Sequence, residues 1–373
     1  MNFRDPTPLY KQIANDIAEK IKTGRLKEGD QLESYQQLAK KYDVSLITVK
    51  KAISLLQNKG IVFSRVGKGT YVAKLSKSVD FSKHRTIGLV LRDLESPFFS
   101  LIMQSIEHSA VEQGYNVLLS STANRQDKEE YQISHFLEIG VSGLIIASMS
   151  HIFVATPMIK KLHNEKFPYV MVSYIEDNDI HFVGTDHVAG GYIAVKHLIS
   201  LGYQKIGYIN GEEGNLIGER RKEGMLKALF EAGMVYNEKY EFRLGQRGEW
   251  YDYDSGYRIG QQFVQLSDKP EAMFVYNDLA ALGFEKALLD HGMKVGEDVA
   301  IVGFDDIKRG VVAPVPLTTI HQPTKEIGEK AFDILLKQIN GLPFKSRVTL
   351  KPSLVIRESC GAKKLKVDSK LLN

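Results

Sequence analysis

From Thr86 onward the chain repeats one pattern: a short apolar run, then a stretch with helical spacing, then another apolar run. Such runs lie at 87–91, 117–119, 143–147, 169–172, 205–209, 272–276 and 299–303, and few of them alternate apolar with polar residues. A strand that is apolar at almost every position buries both of its faces. Strands separated by helices are joined by crossovers, so the pattern demands parallel sheets covered by helices on both sides. Helices are expected at 98–113, near 128–139 and near 157–165. Residues 86–361 exceed what one ordinary sheet uses, which predicts two lobes. Ligands of open parallel sheets bind at the carboxyl ends of the strands, and a cleft between lobes is the natural place. The loops at those ends carry Asp93, Glu95, Ser96, Phe98 and Phe99, then Tyr174, Asp186, Arg220-Arg221, Trp250-Tyr251 and Asp278. Aromatic faces stack on the C–H faces of a sugar, and carboxylates with an arginine make fork-like bonds to its hydroxyls.

The first 74 of the 373 residues read differently. Leu9, Ile13, Ile17 and Ile21 recur every four residues, forming an amphipathic helix that Gly24 is placed to end. Ser34 with Gln37 three residues on fits a capping box, opening a short helix through Leu38, Ala39 and Tyr42. After a break at Asp43-Val44, Ser45 caps a third helix, whose Val49, Ala52, Ile53 and Leu56 form one apolar stripe ending at Gly60. Two short helices joined by a tight turn are the sequence form of a helix-turn-helix. Ile61-Val62-Phe63 and Gly69-Thr70-Tyr71-Val72 then predict a hairpin, or wing, with Arg65 and Lys68 near its tip. The G-x-G at Gly67 and Gly69 leads into a strand and not a helix, so it is no dinucleotide-binding loop.

Charge separates the two regions. Residues 1–74 carry 14 Lys and Arg against 7 Asp and Glu, whereas 86–361 carry 28 against 36. A basic head on an acidic body suits a head that meets a polyanion. Residues 75–85 read as a polar linker and 362–373 as a basic tail. The lone Cys360 makes neither an internal disulfide nor a multi-thiolate metal site, which suits a reducing compartment. The start holds Arg4 and Asp5 with no apolar core of a secretory signal, and no apolar run approaches the roughly 20 residues of a membrane helix. The expectation is a cytoplasmic protein without metal or cofactor.

The head resembles the winged-helix domain of the gluconate-repressor (GntR) superfamily, through Pro8-Leu9-Tyr10, Gly29-Asp30-Gln31-Leu32, Ser34, Leu38-Ala39, Val44-Ser45, Thr48-Val49 and the wing Gly67–Val72. That resemblance implies binding of double-stranded DNA, with the third helix in the major groove. It points to Ser34, Gln36, Ser45, Leu46, Thr48, Lys50, Lys51, Arg65, Lys68 and Gly69 as contacts. The family usually has Pro-Ser-Glu-Arg and Ser-Arg where this chain has Glu33-Ser34-Tyr35-Gln36 and Ser45-Leu46, so two arginines of the usual base readout are missing. Apolar Leu46 and Ile47 are placed to meet thymine methyls instead.

The body resembles the effector-binding domain of lactose/galactose-repressor (LacI/GalR) proteins, itself similar to periplasmic sugar-binding proteins. The matching stretches are Ser96-Pro97-Phe98-Phe99, Val183-Gly184-Thr185-Asp186 with Gly190-Gly191, Glu219–Gly224, Asn277–Gly283, Val302–Asp306 and Leu317–Pro323. The implied fold is α/β: an N-terminal winged helix-turn-helix plus a two-lobed periplasmic-binding-protein-like domain with parallel sheets. The implied ligand residues are Phe98, Phe99, Tyr174, Asp186, Arg221, Trp250 and Asp278. Asp305-Asp306 packs a strand end in this family and is set aside, and His321 is expected to hydrogen-bond between the lobes. Purine-binding members place an arginine and a threonine where Asn215 and Ile217 stand here, which favours a monosaccharide.

A winged head on such a body resembles Gram-positive arabinose repressors, making L-arabinose a candidate effector. The resemblances imply a homodimeric, ligand-responsive regulator of carbohydrate utilisation and not an enzyme. A sugar phosphate or purine effector remains an alternative, as does a sugar-phosphate enzyme using Asp186 or Asp278 as its base.

Overall fold

A computed structural model describes residues 8–58, 61–65, 69–73, 85–123, 125–147, 154–172, 174–245 and 252–362. It divides into two compact units, Met1–Asp80 and Phe81–Asn373. Gly60, Gly67, Lys68, nearly all of the expected linker, Trp250-Tyr251 and the tail beyond Ala362 lie outside the described residues.

The first unit packs α1 (Leu9–Lys22), α2 (Tyr35–Tyr42) and α3 (Leu46–Asn58) against a hairpin of β1 (Val62–Arg65) and β2 (Gly69–Val72). Its core is the stripe read from the sequence: Ile13, Ile17 and Ile21 meet Leu38, Val49, Ala52, Ile53 and Leu56. The capping box forms in full, with Ser34 Oγ accepting from the Gln37 amide and Gln37 Oε1 accepting from the Ser34 amide. Asp43 takes the left-handed conformation that ends α2 and turns the chain into α3.

The second unit holds two six-stranded sheets. The first lobe begins with β3 (Thr86–Leu91), α4 (Pro97–Glu112), β4 (Asn116–Ser121), α5 (Gln126–Ile139), β5 (Leu144–Ile146), α6 (Pro157–Asn164), β6 (Tyr169–Met171) and β7 (Phe182–Thr185). The chain crosses to the second lobe for α7 (His187–Ser200), β8 (Ile206–Asn210), α8 (Leu216–Glu231), β9 (Glu241–Arg243), α9 (Asp252–Val264) and β10 (Ala272–Val275). That lobe continues with α10 (Asp278–Asp290), β11 (Ala300–Asp305), α11 (Lys308–Val311) and β12 (Thr318–His321). It then returns for α12 (Thr324–Ile339) and β13 (Arg347–Leu350) and crosses a third time to β14 (Ser353–Val355). The orders are β13-β7-β6-β5-β3-β4 and β14-β12-β11-β10-β8-β9. Every pairing is parallel except β12 with β14, so the second sheet carries one antiparallel edge that a purely parallel reading omits.

Neighbouring residues of one strand enter opposite cores. Ile87, Leu89 and Ile145 pack under α4 and α12, while Val90, Leu144 and Ile146 pack with α5 and α6. This two-sided burial is why the strands read as continuous apolar runs. In the second lobe, glycines let helices touch backbone to backbone. A Cβ on Gly191 of α7 would meet the Arg221 carbonyl of α8 at 1.9 Å, and one on Gly224 would meet the Val188 carbonyl at 1.9 Å. That close approach places Arg221 against the end of the sheet. No helix among the described residues is long and apolar enough to cross a membrane.

Candidate functional site

In the first sheet β3 lies between β4 and β5, and in the second β8 lies between β9 and β10. At such points successive crossovers run in opposite directions and leave a crevice at the strand ends. The two crevices face one cavity. Its walls are Arg92, Asp93, Ser96, Phe98 and Phe99 after β3, Tyr174 after β6, Thr185 and His187 at the first crossing, and Ile217 and Arg221 of α8. Val172, Gly184, Asp252, Tyr276, Asn277, Asp305, Gln322 and Ile327 complete it.

Arg221 is the centre of the polar wall. Its side chain is nearly fully buried, with the guanidinium 3.6 Å from the Phe304 ring centroid and 4.8 Å from that of Tyr276. Nη1 donates to the Tyr276 carbonyl, Nη2 lies 3.9 Å from Asp305, and Nε meets no partner among the described residues. Asp305 accepts from Gln322 Nε2 at 2.6 Å. Burial pushes its carboxyl up to about 6, an effect that the Arg221 charge opposes. Asp305 also holds φ at 124°, a conformation L-residues rarely adopt, and Asp306 holds φ at 61°. The turn is pinned because the Asp306 carboxylate takes Arg357 at 2.5 Å and His321 Nδ1 at 3.0 Å. Backbone strain retained at the mouth of a cavity is typical of functional sites.

His187 is buried beside them, and burial with the nearby Arg221 charge drives its pKa far below the ordinary value, leaving a neutral ring. Burial also raises Asp252, which accepts from Asn277 Nδ2 at 2.5 Å. The Tyr276 hydroxyl, which burial keeps protonated, accepts from Asn215 Nδ2 at 3.1 Å. The wall thus offers fixed donors and acceptors whose charges nearly balance. Phe98 and Phe99 close the other side, edge to face at 5.1 Å.

Of the residues expected from the sequence, Phe98, Phe99, Tyr174 and Arg221 line this cavity. Asp186 does not: it caps α7, accepting from the Ala189 amide at 2.9 Å, between Thr185 and His187, which do line it. Asp278 is fully buried beneath the wall, where it accepts from Thr319 Oγ1 at 2.6 Å and the Ile307 amide at 2.9 Å. Its expected place is occupied by Asp305, which the sequence reading set aside as strand packing. The cause is local: Asn277 caps α10 through the Ala280 amide, and the first helical turn directs Asp278 back toward Gly303 of β11. His321, expected between lobes, bonds Asp306 at the end of the neighbouring strand. Asp305, Tyr276 and Asn277 stand at or just past carboxyl ends of apolar runs, a position that marks them as candidates without any motif.

The first unit presents a second surface. On α3, Val49 and Ile53 are buried while Leu46 and Ile47 are 45% and 68% exposed, with Lys50 and Lys51 exposed beside them. Ser45 Oγ accepts from the Thr48 amide at 3.2 Å and lies 2.9 Å from Thr48 Oγ1, so both hydroxyls sit at the helix start. Ser34, Arg65 and Gly69 border one shallow depression between α2 and the hairpin, and Gln36 is exposed on α2. The Arg65 guanidinium lies over Phe63 and Tyr71, 5.4 and 5.8 Å from their centroids.

Residues 9–72 match the model of bacterial regulatory proteins of the gntR family, and residues 195–360 match that of the periplasmic binding protein-like domain. The chain is 30% identical over 291 residues to the HTH-type transcriptional repressor PurR of Aliivibrio salmonicida, covering 76% of this chain and 84% of that one. It is 28% identical over 361 residues to the arabinose metabolism transcriptional repressor of Geobacillus stearothermophilus, covering 94% and 97%. Among solved structures, a LacI family transcriptional regulator from Enterococcus faecium with bound ribose superposes with a TM-score of 0.64 at 28% identity, over 74% of this chain and 98% of that one.

Proposed function

The chain belongs to the LacI-type ligand-responsive transcriptional repressors, carrying a gntR-family DNA-binding head, and from that premise we propose that it governs carbohydrate utilisation in response to a monosaccharide. Each head binds one operator half-site in the cytoplasm. Ser45, Leu46, Thr48, Lys50 and Lys51 of α3 meet the major groove, and Ser34, Gln36, Arg65 and Gly69 meet the flanking backbone. Phosphate contacts by the lysines supply a salt-dependent share of affinity. The body dimerises and sets the spacing of the two heads.

The observation that carries the effector assignment is the cavity wall. The Phe98–Phe99 pair faces Arg221, Asp305, Asp252 and Asn277, an apolar face opposite a fork of donors and acceptors of little net charge. That combination suits a neutral polyhydroxylated ring. A purine would meet Ile217 where a hydrogen-bonding side chain is needed. Neither Asp186, which caps α7, nor Asp278, which is engaged by Thr319 and the Ile307 amide, lines the cavity. L-arabinose is the first sugar to test, in view of the repressor from Geobacillus stearothermophilus and the ribose held by the regulator from Enterococcus faecium. Sugar binding changes operator affinity only if the sugar favours one arrangement of the lobes.

A thermal-shift screen of the full chain against pentoses, hexoses, sugar phosphates and purines tests the assignment, because a ligand of the folded state raises the midpoint with its concentration. A rise with a free monosaccharide is expected. A rise only with a phosphate or purine overturns it.

A further inference from the structure

Arg220 stands next to Arg221 on α8 but turns the other way, toward the first lobe. Its Nε donates to the Tyr174 hydroxyl at 3.0 Å and its Nη2 to Glu176 Oε1 at 2.7 Å. Nη1 donates to Glu223 Oε2 of its own helix at 2.9 Å, which holds the fork in place. Tyr174 and Glu176 belong to the segment after β6, whose Ile175 and Ile180 are buried in the first lobe's core. One side chain of the second lobe is therefore bonded to two residues of the first. Tyr174 itself lines the cavity, and its ring lies 5.9 Å from that of His187 at the first crossing. Arg220 is half-exposed, so the bonds span the solvent side of the wall.

We propose that Arg220 is a positioning residue: it ties the lobes together at the rim and holds Tyr174 over the occupant of the cavity. The assignment of Tyr174 to an occupant rests on the monosaccharide reading, whereas the tie between lobes does not. All three guanidinium nitrogens are engaged in one fork, which distinguishes this group from an isolated surface pair of little consequence. Separation of the lobes must break the bonds to Tyr174 and Glu176 together, so their effect falls on escape from the cavity more than on entry.

The test uses the full chain, its Arg220→Met variant, which keeps the apolar stem, and the reciprocal swap Arg220→Glu with Glu176→Arg. Hydrogen exchange without sugar reads residues 174–180 and the first turn of α4, which Arg220 does not touch. Exchange is expected to quicken at both in Arg220→Met and to recover in the swap. Stopped-flow dissociation of L-arabinose and D-ribose is expected to quicken about 3–10-fold in Arg220→Met, with the association rate little changed and the difference shrinking in high salt. Unchanged exchange at α4 in a variant with native circular dichroism overturns the tie. An unchanged dissociation rate for a sugar that the parent binds overturns the positioning of Tyr174. If the parent binds neither sugar, the monosaccharide reading is at fault, and the exchange result still decides the tie.

Discussion

Replacing Arg221 by alanine separates sensing from DNA binding. The guanidinium is buried over Phe304 and Tyr276, with Nε unpartnered among the described residues and Nη2 3.9 Å from Asp305, so part of its hydrogen-bonding capacity is free for a ligand. A hydrogen bond to a charged group contributes about 1.5–3 kcal/mol, and loss of one or two such bonds should weaken sugar binding by about 2–4 kcal/mol, or roughly 30–1000-fold. The fold should survive. Asp305, already pushed up to about 6, loses the nearby cation and takes up a proton instead of remaining a buried, unpaired charge. The expected cost in stability is about 1–3 kcal/mol. Calorimetric titration reads the sugar affinity, and fluorescence anisotropy with a duplex selected from a random library reads operator binding. Operator affinity without sugar should remain within about twofold of the parent, because the head's own contacts supply it. Unchanged sugar affinity in a folded variant would refute the placement of the site.

Asp278→Ala should act on stability and not on recognition: two buried donors, Thr319 Oγ1 and the Ile307 amide, lose their acceptor, at about 2–4 kcal/mol, seen as a lowered thermal midpoint. Asp305→Asn tests the acid side. Native Asp305 keeps its proton to about pH 6 while the unfolded chain releases it near 4, so the parent loses stability as pH rises through that window, by up to about 3 kcal/mol. Denaturant titrations from pH 4 to 7 should show that decline flattened in the variant. In the head, Lys50→Ala and Lys51→Ala should each weaken binding to all sequences alike and lower the salt slope by about 1 if they contact phosphates. Uracil in place of thymine throughout the selected operator should weaken the parent but not Leu46→Ala with Ile47→Ala. Equal loss in both would assign the methyl contacts to other residues, and no loss in the parent would remove thymine methyls from the readout.

Long-range texture carried most of the fold. Apolar runs such as Ile87–Leu91 announce two-sided burial, and Ser34 with Gln37 announces a helix start, because both signals are local and chemical. The antiparallel edge β14 was not legible, since three residues at a sheet margin carry no direction in their side chains. At the site, Phe98, Phe99, Tyr174 and Arg221 were legible as chemistry at strand ends. Asp278 and Asp305 exchanged places because the sequence does not disclose which way the first turn of α10 and the positive-φ turn at Asp305 direct their carboxyls. His187 and Asp252 were missed for a similar reason: only the packing of helices within the second lobe, α7 on α8 and α9 on α10, brings His187 beside Arg221 and Asp252 beside Asn277. Arg220 was visible as a charge, but its partners lie 44 and 46 positions away.

The central claim is that a sugar held between the lobes changes how tightly the heads hold DNA. Its most direct test is operator affinity by anisotropy at fixed salt, with and without a saturating monosaccharide first shown to bind. A coupling of about 1–3 kcal/mol predicts a change of roughly 5–150-fold, abolished by Arg221→Ala. Identical operator affinity with the sugar bound and absent would contradict the account.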